Sequence, residues 1–203
     1  MKKYAVLHEP GDIVTLAGTR FVVLDVERRG SLPDSLFLLA LESVGTSEFG
    51  SSNNYAESDL KKAVDKWLED MGKRGLDNAK LIPREIDLTT LDGSGCYGKL
   101  SVKAAPLTLD EAREYADIIP NAERWCWLAT GWSGPSKSDG DLALYVSSRG
   151  DWYSNYCSNS LGVRPALKIP SDLLLDSADK PDLSEVPTDT LLEEIRRRVV
   201  DKA

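Results

Sequence analysis

Two periods run through the apolar positions of this chain. Residues 13–16 and 20–26 are short stretches rich in β-branched and aromatic side chains, with Gly18 between them, and they predict a β-hairpin. After a loop at 30–34, residues 36–41 form an unbroken apolar run, the mark of a strand covered on both faces or packed against a helix. Residues 45–57 are polar and rich in Gly, Ser and Asn, and read as a loop. The period then lengthens. Leu60, Ala63, Val64, Trp67, Leu68 and Met71 recur at helical spacing, so an amphipathic helix is expected over 58–71, capped by Ser58 and ended by Gly72. A short strand at 79–82 stops at Pro83.

The second half returns to a period of two. It is introduced by a capping box, Thr108-Leu109-Asp110-Glu111, which together with Pro106 and Pro120 predicts a helix over 109–118. Residues 124–130 alternate, with Trp125, Trp127 and Ala129 on one face and Cys126 and Leu128 on the other. Residues 133–141 are a Gly/Ser/Pro/Asp loop. In 142–147, Leu142, Leu144 and Val146 oppose Ala143, Tyr145 and Ser147. The next segment, Asp-Trp-Tyr-Ser-Asn-Tyr-Cys-Ser-Asn-Ser from Asp151, carries almost no aliphatic side chain, and an apolar strand at 163–169 closes the series.

Polar aromatic surface is thus fused to a structural anchor. Tyr supplies rigid amphipathic contact area at low entropic cost, and Ser and Asn supply adaptable hydrogen bonds, the composition of antibody paratopes. The expected ligand-binding residues are Trp132, Tyr145, Ser147, Tyr153, Ser154, Asn155, Tyr156, Ser158 and Asn159. Tyr153, Asn155 and Tyr156 are expected to supply most of the contact, over an aromatic floor of Tyr145 and Trp132. Arg164 is read as an anchor of the closing strand, and Trp152 as scaffold.

Bulk chemistry narrows the alternatives. The 203 residues carry 41% hydrophobic and 29% charged side chains, an ordinary globular balance. The net charge of -8 argues against general nucleic-acid binding, which needs a basic surface. No signal peptide is read at the N-terminus, because the apolar run after Lys2 and Lys3 breaks at His8-Glu9-Pro10-Gly11. No run suits a membrane span. A cytoplasmic or virion-associated protein is expected. Cys96, Cys126 and Cys157 lack metal-site spacing, and His8, the one histidine, is expected at the surface beside its turn. No catalytic residue, metal or cofactor is expected. Residues 1–170 are read as one domain, 171–187 as an acidic linker, and 188–203 as a helix suited to homo-oligomerisation.

Three segments resemble a known family: residues 11–25, Trp125-Cys126-Trp127-Leu128-Ala129-Thr130, and Ser160-Leu161-Gly162-Val163-Arg164-Pro165-Ala166-Leu167. They are similar to the bacterial and phage C-type-lectin-like domains related to the formylglycine-generating-enzyme fold. That group includes the variable proteins of diversity-generating retroelements, among them phage tropism determinants. The resemblance covers about residues 10–170 and implies an α+β C-type lectin-like fold, with two helices around small twisted antiparallel sheets and extensive loops. It also implies a receptor-recognition role toward a protein or glycan ligand. In diversified members the residues before the Gly-Val-Arg-Pro-Ala segment vary by adenine changes in asparagine codons. Residues 153–159 are all reachable that way, whereas Trp152 is not. The same superfamily implies one alternative, a formylglycine-generating-enzyme-like oxidase, with Cys126 and Cys157 approaching one another. The C-terminal helix suggests another, a structural or assembly protein of a phage or bacterial particle.

Overall fold

The structure, a computed structural model, describes residues 2–4, 8–29 and 32–177. Among these residues the chain is α+β, mostly strand, with two helices. The strands are β1 (Lys2–Tyr4), β2 (Ile13–Leu16), β3 (Thr19–Arg29), β4 (Leu32–Ala40), β5 (Thr46–Glu48), β6 (Arg84–Asp87), β7 (Lys99–Val102), β8 (Ala104–Ala105), β9 (Cys126–Gly131), β10 (Leu142–Val146), β11 (Trp152–Tyr156), β12 (Ser160–Gly162), β13 (Ala166–Pro170) and β14 (Leu174–Ser177). The helices are α1 (Asp59–Lys73) and α2 (Leu109–Glu114).

Seven strands form one sheet in the order β1-β14-β2-β3-β4-β13-β8, and five form a second in the order β11-β10-β9-β12-β5. The pair β6-β7 stands apart. The second sheet is not wholly antiparallel, as expected, because β12 runs parallel to β9, with Gly162 opposite Cys126. A Cβ on Gly162 would lie 2.8 Å from Cys126 Sγ, so only glycine lets these strands approach.

The apolar run at 36–41 is covered on both faces. Leu36, Leu38 and Ala40 join the main core with α1, while Phe37 and Leu39 join a second core with α2. The α1 stripe buries Leu60, Val64, Trp67 and Met71. Ser58 caps this helix, its hydroxyl accepting from Lys61 N–H at 2.9 Å. Gly72 does not end it. The helix runs on to Lys73, and Gly75, at φ 101°, takes the left-handed position. Gly75 N–H donates to Gly72 C=O and Leu76 N–H to Met71 C=O, a Schellman closure with Leu76 tucked against the core.

Three other expectations are corrected. The helix expected over 109–118 ends at Glu114, and its last residues continue as turns. The segment read as a linker begins instead with β14, which pairs with both β1 and β2. Its acidic character hid two ladders of backbone hydrogen bonds, to which side-chain composition is a poor guide. His8 is buried, 6% exposed, with Nδ1 3.3 Å from Asp12 Oδ2. The helix expected at 188–203 lies outside the described residues.

Candidate functional site

The Tyr/Ser/Asn segment is a strand. β11 forms the edge of the five-stranded sheet and pairs with β10 through residues 142–146, placing Tyr153 opposite Tyr145 and Asn155 opposite Ala143. Its turn is built by Ser147, whose hydroxyl accepts from Arg149 N–H and Asp151 N–H, both at 3.2 Å, with Gly150 at φ 89°. Ser147 is therefore buried and committed to the turn, not displayed.

The pleat divides the expected site residues between two faces. Tyr153 and Asn155 share the face of Tyr145. Trp152, Ser154 and Tyr156 share the face of Leu142, Leu144 and Val146. On the first face Tyr145 lies between two exposed rings. Its centroid is 5.2 Å from Trp125, nearly parallel at 20°, and 5.8 Å from Tyr153. Trp127 closes the base edge-on at 6.4 Å. Tyr145 is buried, whereas Trp125 and Tyr153 are 48% and 50% exposed. The result is an aromatic ladder across β9, β10 and β11. Beside Trp125 a shallow depression of about 350 Å³ opens among Arg124, Ser148 and Leu161.

Trp125 was not among the expected binding residues. Its alternation with Trp127 was visible, but the register that sets it against Tyr145 was not. Trp132 is the converse case. It packs against the second core with Leu144 and Leu128, away from Tyr145. The cause is an irregularity between β9 and β10, where Ala143 pairs with Gly131 but Tyr145 pairs with Trp127. In the intervening stretch β9 turns its hydrogen bonds to the segment before α2, with Ala129 N–H to Leu107 C=O and Leu109 N–H to Thr130 Oγ1. Trp152, read as scaffold, is 42% exposed with the Arg113 guanidinium 5.7 Å above its ring.

At the far end of β11, Tyr156 is 59% exposed and Ser158 and Asn159 are exposed. Asn155 Oδ1 accepts from Asn159 Nδ2 at 2.7 Å and from Tyr156 N–H at 2.9 Å. Cys157 turns inward. Its carbonyl accepts from Phe49 N–H and Gly50 N–H, and its N–H donates to Asp141 C=O.

Asn53 holds this region to the rest of the fold. It is 1% exposed; its Nδ2 donates to Ser133 C=O at 2.9 Å and Leu142 C=O at 3.0 Å, and its Oδ1 accepts from Tyr97 OH at 2.6 Å. Asn53 lay in a segment read only as loop. The loop at 133–141 is held further by Lys137 on Asp92, whose carboxyl sits well below the usual range because of that ammonium and the Thr90 hydroxyl.

The two buried thiols do not meet. Cys126 pairs with Val146 at one end of β10, and Cys157 lies beyond the partner of Leu142 at the other. At a rise near 3.3 Å per residue that separates them by roughly 16 Å along the strand. Burial pushes their pKa values up to about 11 and about 12 respectively, which disfavours the thiolate needed for metal binding or attack. Among the described residues no group of three or more His, Cys, Asp or Glu side chains is placed to hold a metal ion. No described helix is long and apolar enough to cross a membrane.

The class defined so far is an α+β protein with two packed sheets and an aromatic face at the edge of the smaller one. No family model matches the chain, and neither a curated protein nor a solved structure matches it.

Proposed function

We propose that this chain is a ligand-recognition protein on a C-type-lectin-like scaffold, binding a protein or glycan surface through the ladder of Trp125, Tyr145 and Tyr153. The observation that carries this reading is that two large rings stay half exposed while packed against a buried third, Trp125 stacked on it and Tyr153 tilted against it. Contact with Tyr145 fixes their rotamers in advance, so a partner meets a preorganised apolar surface and less side-chain entropy is lost on binding. Aromatic anchors of this kind dominate binding energy at interfaces. The outer edge of β11, whose backbone groups face no further strand among the described residues, and the exposed Tyr156, Ser158 and Asn159 supply polar contacts beside the ladder.

The resemblance to retroelement-diversified proteins supports the same face, since residues 153–159 precede the Gly-Val-Arg-Pro-Ala segment. Diversification predicts a near-copy of the DNA encoding this segment, differing at adenines, beside a reverse transcriptase gene. The binding reading is tested with a glycan array and a random-peptide display library. Each is probed with the wild type and with a Trp125→Ala/Tyr153→Ala variant. Binders that the double variant loses support it. A wild type that enriches nothing from either collection, or whose binders survive the double substitution, refutes it.

A further inference from the structure

Behind β10, on the face opposite the ladder, lies a second concavity of about 260 Å³. Its walls are apolar, with Leu39 from β4, Ala112 from α2, Leu128 from β9 and Val146 from β10, and its rim carries Trp152 and Arg149. Protein interiors are close-packed, and few voids exceed the size of a water molecule. At the share of liquid volume that one water takes, this space equals roughly nine waters.

Two arginines line it, Arg149 at the exposed rim and Arg164 within. Arg164 is 7% exposed. Its Nε donates to Ala40 C=O at 2.8 Å, and its Nη2 donates to Leu41 C=O and Pro120 C=O, each at 3.0 Å. These three bonds tie the closing segment to β4 and to the turn after α2, as expected of an anchor. They account for Nε and Nη2 only. Nη1 donates to no acceptor among the described residues, and Arg164 has no carboxylate within ion-pair distance among them. Glu42 makes itself felt only as a more distant field. A guanidinium taken out of water without a counter-charge is costly, and carbonyl dipoles offset that cost only in part. Burial accordingly weakens the hold of Arg164 on its proton. Arg149 at the rim and Arg113 over Trp152 also stand near the opening, each beside a carboxylate, Asp151 at 3.8 Å and Asp110 at 3.3 Å, so Arg164 is the charge left without one among the described residues.

We infer that this cavity is a binding site for a small monocarboxylate with an aromatic or branched aliphatic body, its carboxylate taken by Nη1 of Arg164 and its body by the apolar walls. The volume suits a molecule of roughly eight to ten non-hydrogen atoms, since such sites enclose most of their ligand. The Trp152 ring stands at the opening as a reporter and as an apolar cover. This site is separate from the ladder, because Trp152 and Tyr153 project to opposite faces of β11.

The test uses phenylacetate, 4-methylpentanoate and phenylacetamide with the full chain, read by tryptophan fluorescence and ligand-observed magnetic resonance. The acids bind saturably at sub-millimolar concentration, and the amide binds about tenfold more weakly for want of the charge-assisted bond. Ala116→Trp, at an exposed lining position beside α2, abolishes acid binding while the melting temperature without acid stays within a few degrees of wild type. Trp125→Ala/Tyr153→Ala leaves acid binding unchanged, which separates this site from the recognition face. Failure of both acids to saturate at millimolar concentration overturns the inference. So does equal affinity for acid and amide, or undiminished binding to Ala116→Trp.

Discussion

Replacing Asn53 by Ala removes a side chain that joins three separate segments. Two donated bonds and one accepted bond disappear together. Leu142 C=O keeps a partner, since Trp132 N–H donates to it at 2.9 Å, but Ser133 C=O loses the bond from Asn53 and Tyr97 OH loses its acceptor. At about 1 kcal/mol net per hydrogen bond, plus a desolvation penalty for a carbonyl left beside a buried residue, the loss comes to about 3–4 kcal/mol. For a domain of this size that corresponds to a fall in melting temperature of roughly 6–16 °C. Tyr97→Phe removes one of the same bonds and costs about 1–2 kcal/mol. Urea unfolding of wild type, both single variants and the double variant forms a cycle, and the Asn53–Tyr97 coupling is expected near 1 kcal/mol. A cost below about 1 kcal/mol for Asn53→Ala, or no measurable coupling, would refute the claim that this side chain ties β10 to the loops around it.

Glu111 serves the α2 cap and the buried Arg84 at once, its Oε2 accepting from Thr108 N–H at 2.8 Å and its Oε1 pairing with Arg84. Glu111→Ala therefore costs about 3–5 kcal/mol by leaving Arg84 buried without its ion pair, against about 1 kcal/mol for Thr108→Ala, as chemical denaturation will show. Trp127→Ala, which empties a site 1% exposed, costs about 3–5 kcal/mol, whereas Tyr153→Ala costs less than about 1 kcal/mol; equal losses would contradict the assignment of one ring to the core and the other to the face. With a thiol reagent near neutral pH only the exposed Cys96 reacts in the folded protein, and all three cysteines react after unfolding. Cys126 and Cys157 ionise at about 8.5 in the unfolded chain but at about 11 and about 12 when folded, so their contribution is full below the lower value and is lost as pH rises towards the higher ones. The urea midpoint accordingly falls more steeply between about pH 8 and pH 10 in wild type than in a Cys126→Ala/Cys157→Ala variant.

Elements with a strong period were legible before the structure. The α1 stripe, the β2–β3 hairpin, the Thr108 capping box and the alternation of β10 all follow from local sequence, because each places its apolar side chains by its own backbone geometry. What depends on pairing was not legible. Tyr153 and Tyr145 are opposed by register, and no local pattern encodes which residue of one strand meets which of the next. The irregularity between β9 and β10 moved Trp132 to the far side of the sheet and left Trp125 in the ladder. β14 escaped for a related reason: its place is fixed by backbone bonds to β1 and β2, to which an Asp-bearing sequence gives no clue. Asn53 was hidden because a buried polar side chain in a loop looks, in sequence, like any other turn residue.

Among the described residues β11 has a single neighbour. A strand inside a sheet is fixed from both sides, so a poor side chain disturbs two ladders; an edge strand disturbs one, and here that one is β10, already held by β9 and Asn53. Surface substitutions cost within about 0.5 kcal/mol each, against a total stability on the order of 5–15 kcal/mol. Several positions from Tyr153 to Tyr156 can then change together while the chain still folds, and the permissive run stops at Cys157, whose carbonyl fastens Phe49 and Gly50. A lineage carrying this fold can revise what this edge presents without first acquiring compensating stability elsewhere, so the pace of change there is set by selection at the surface rather than by the need to fold.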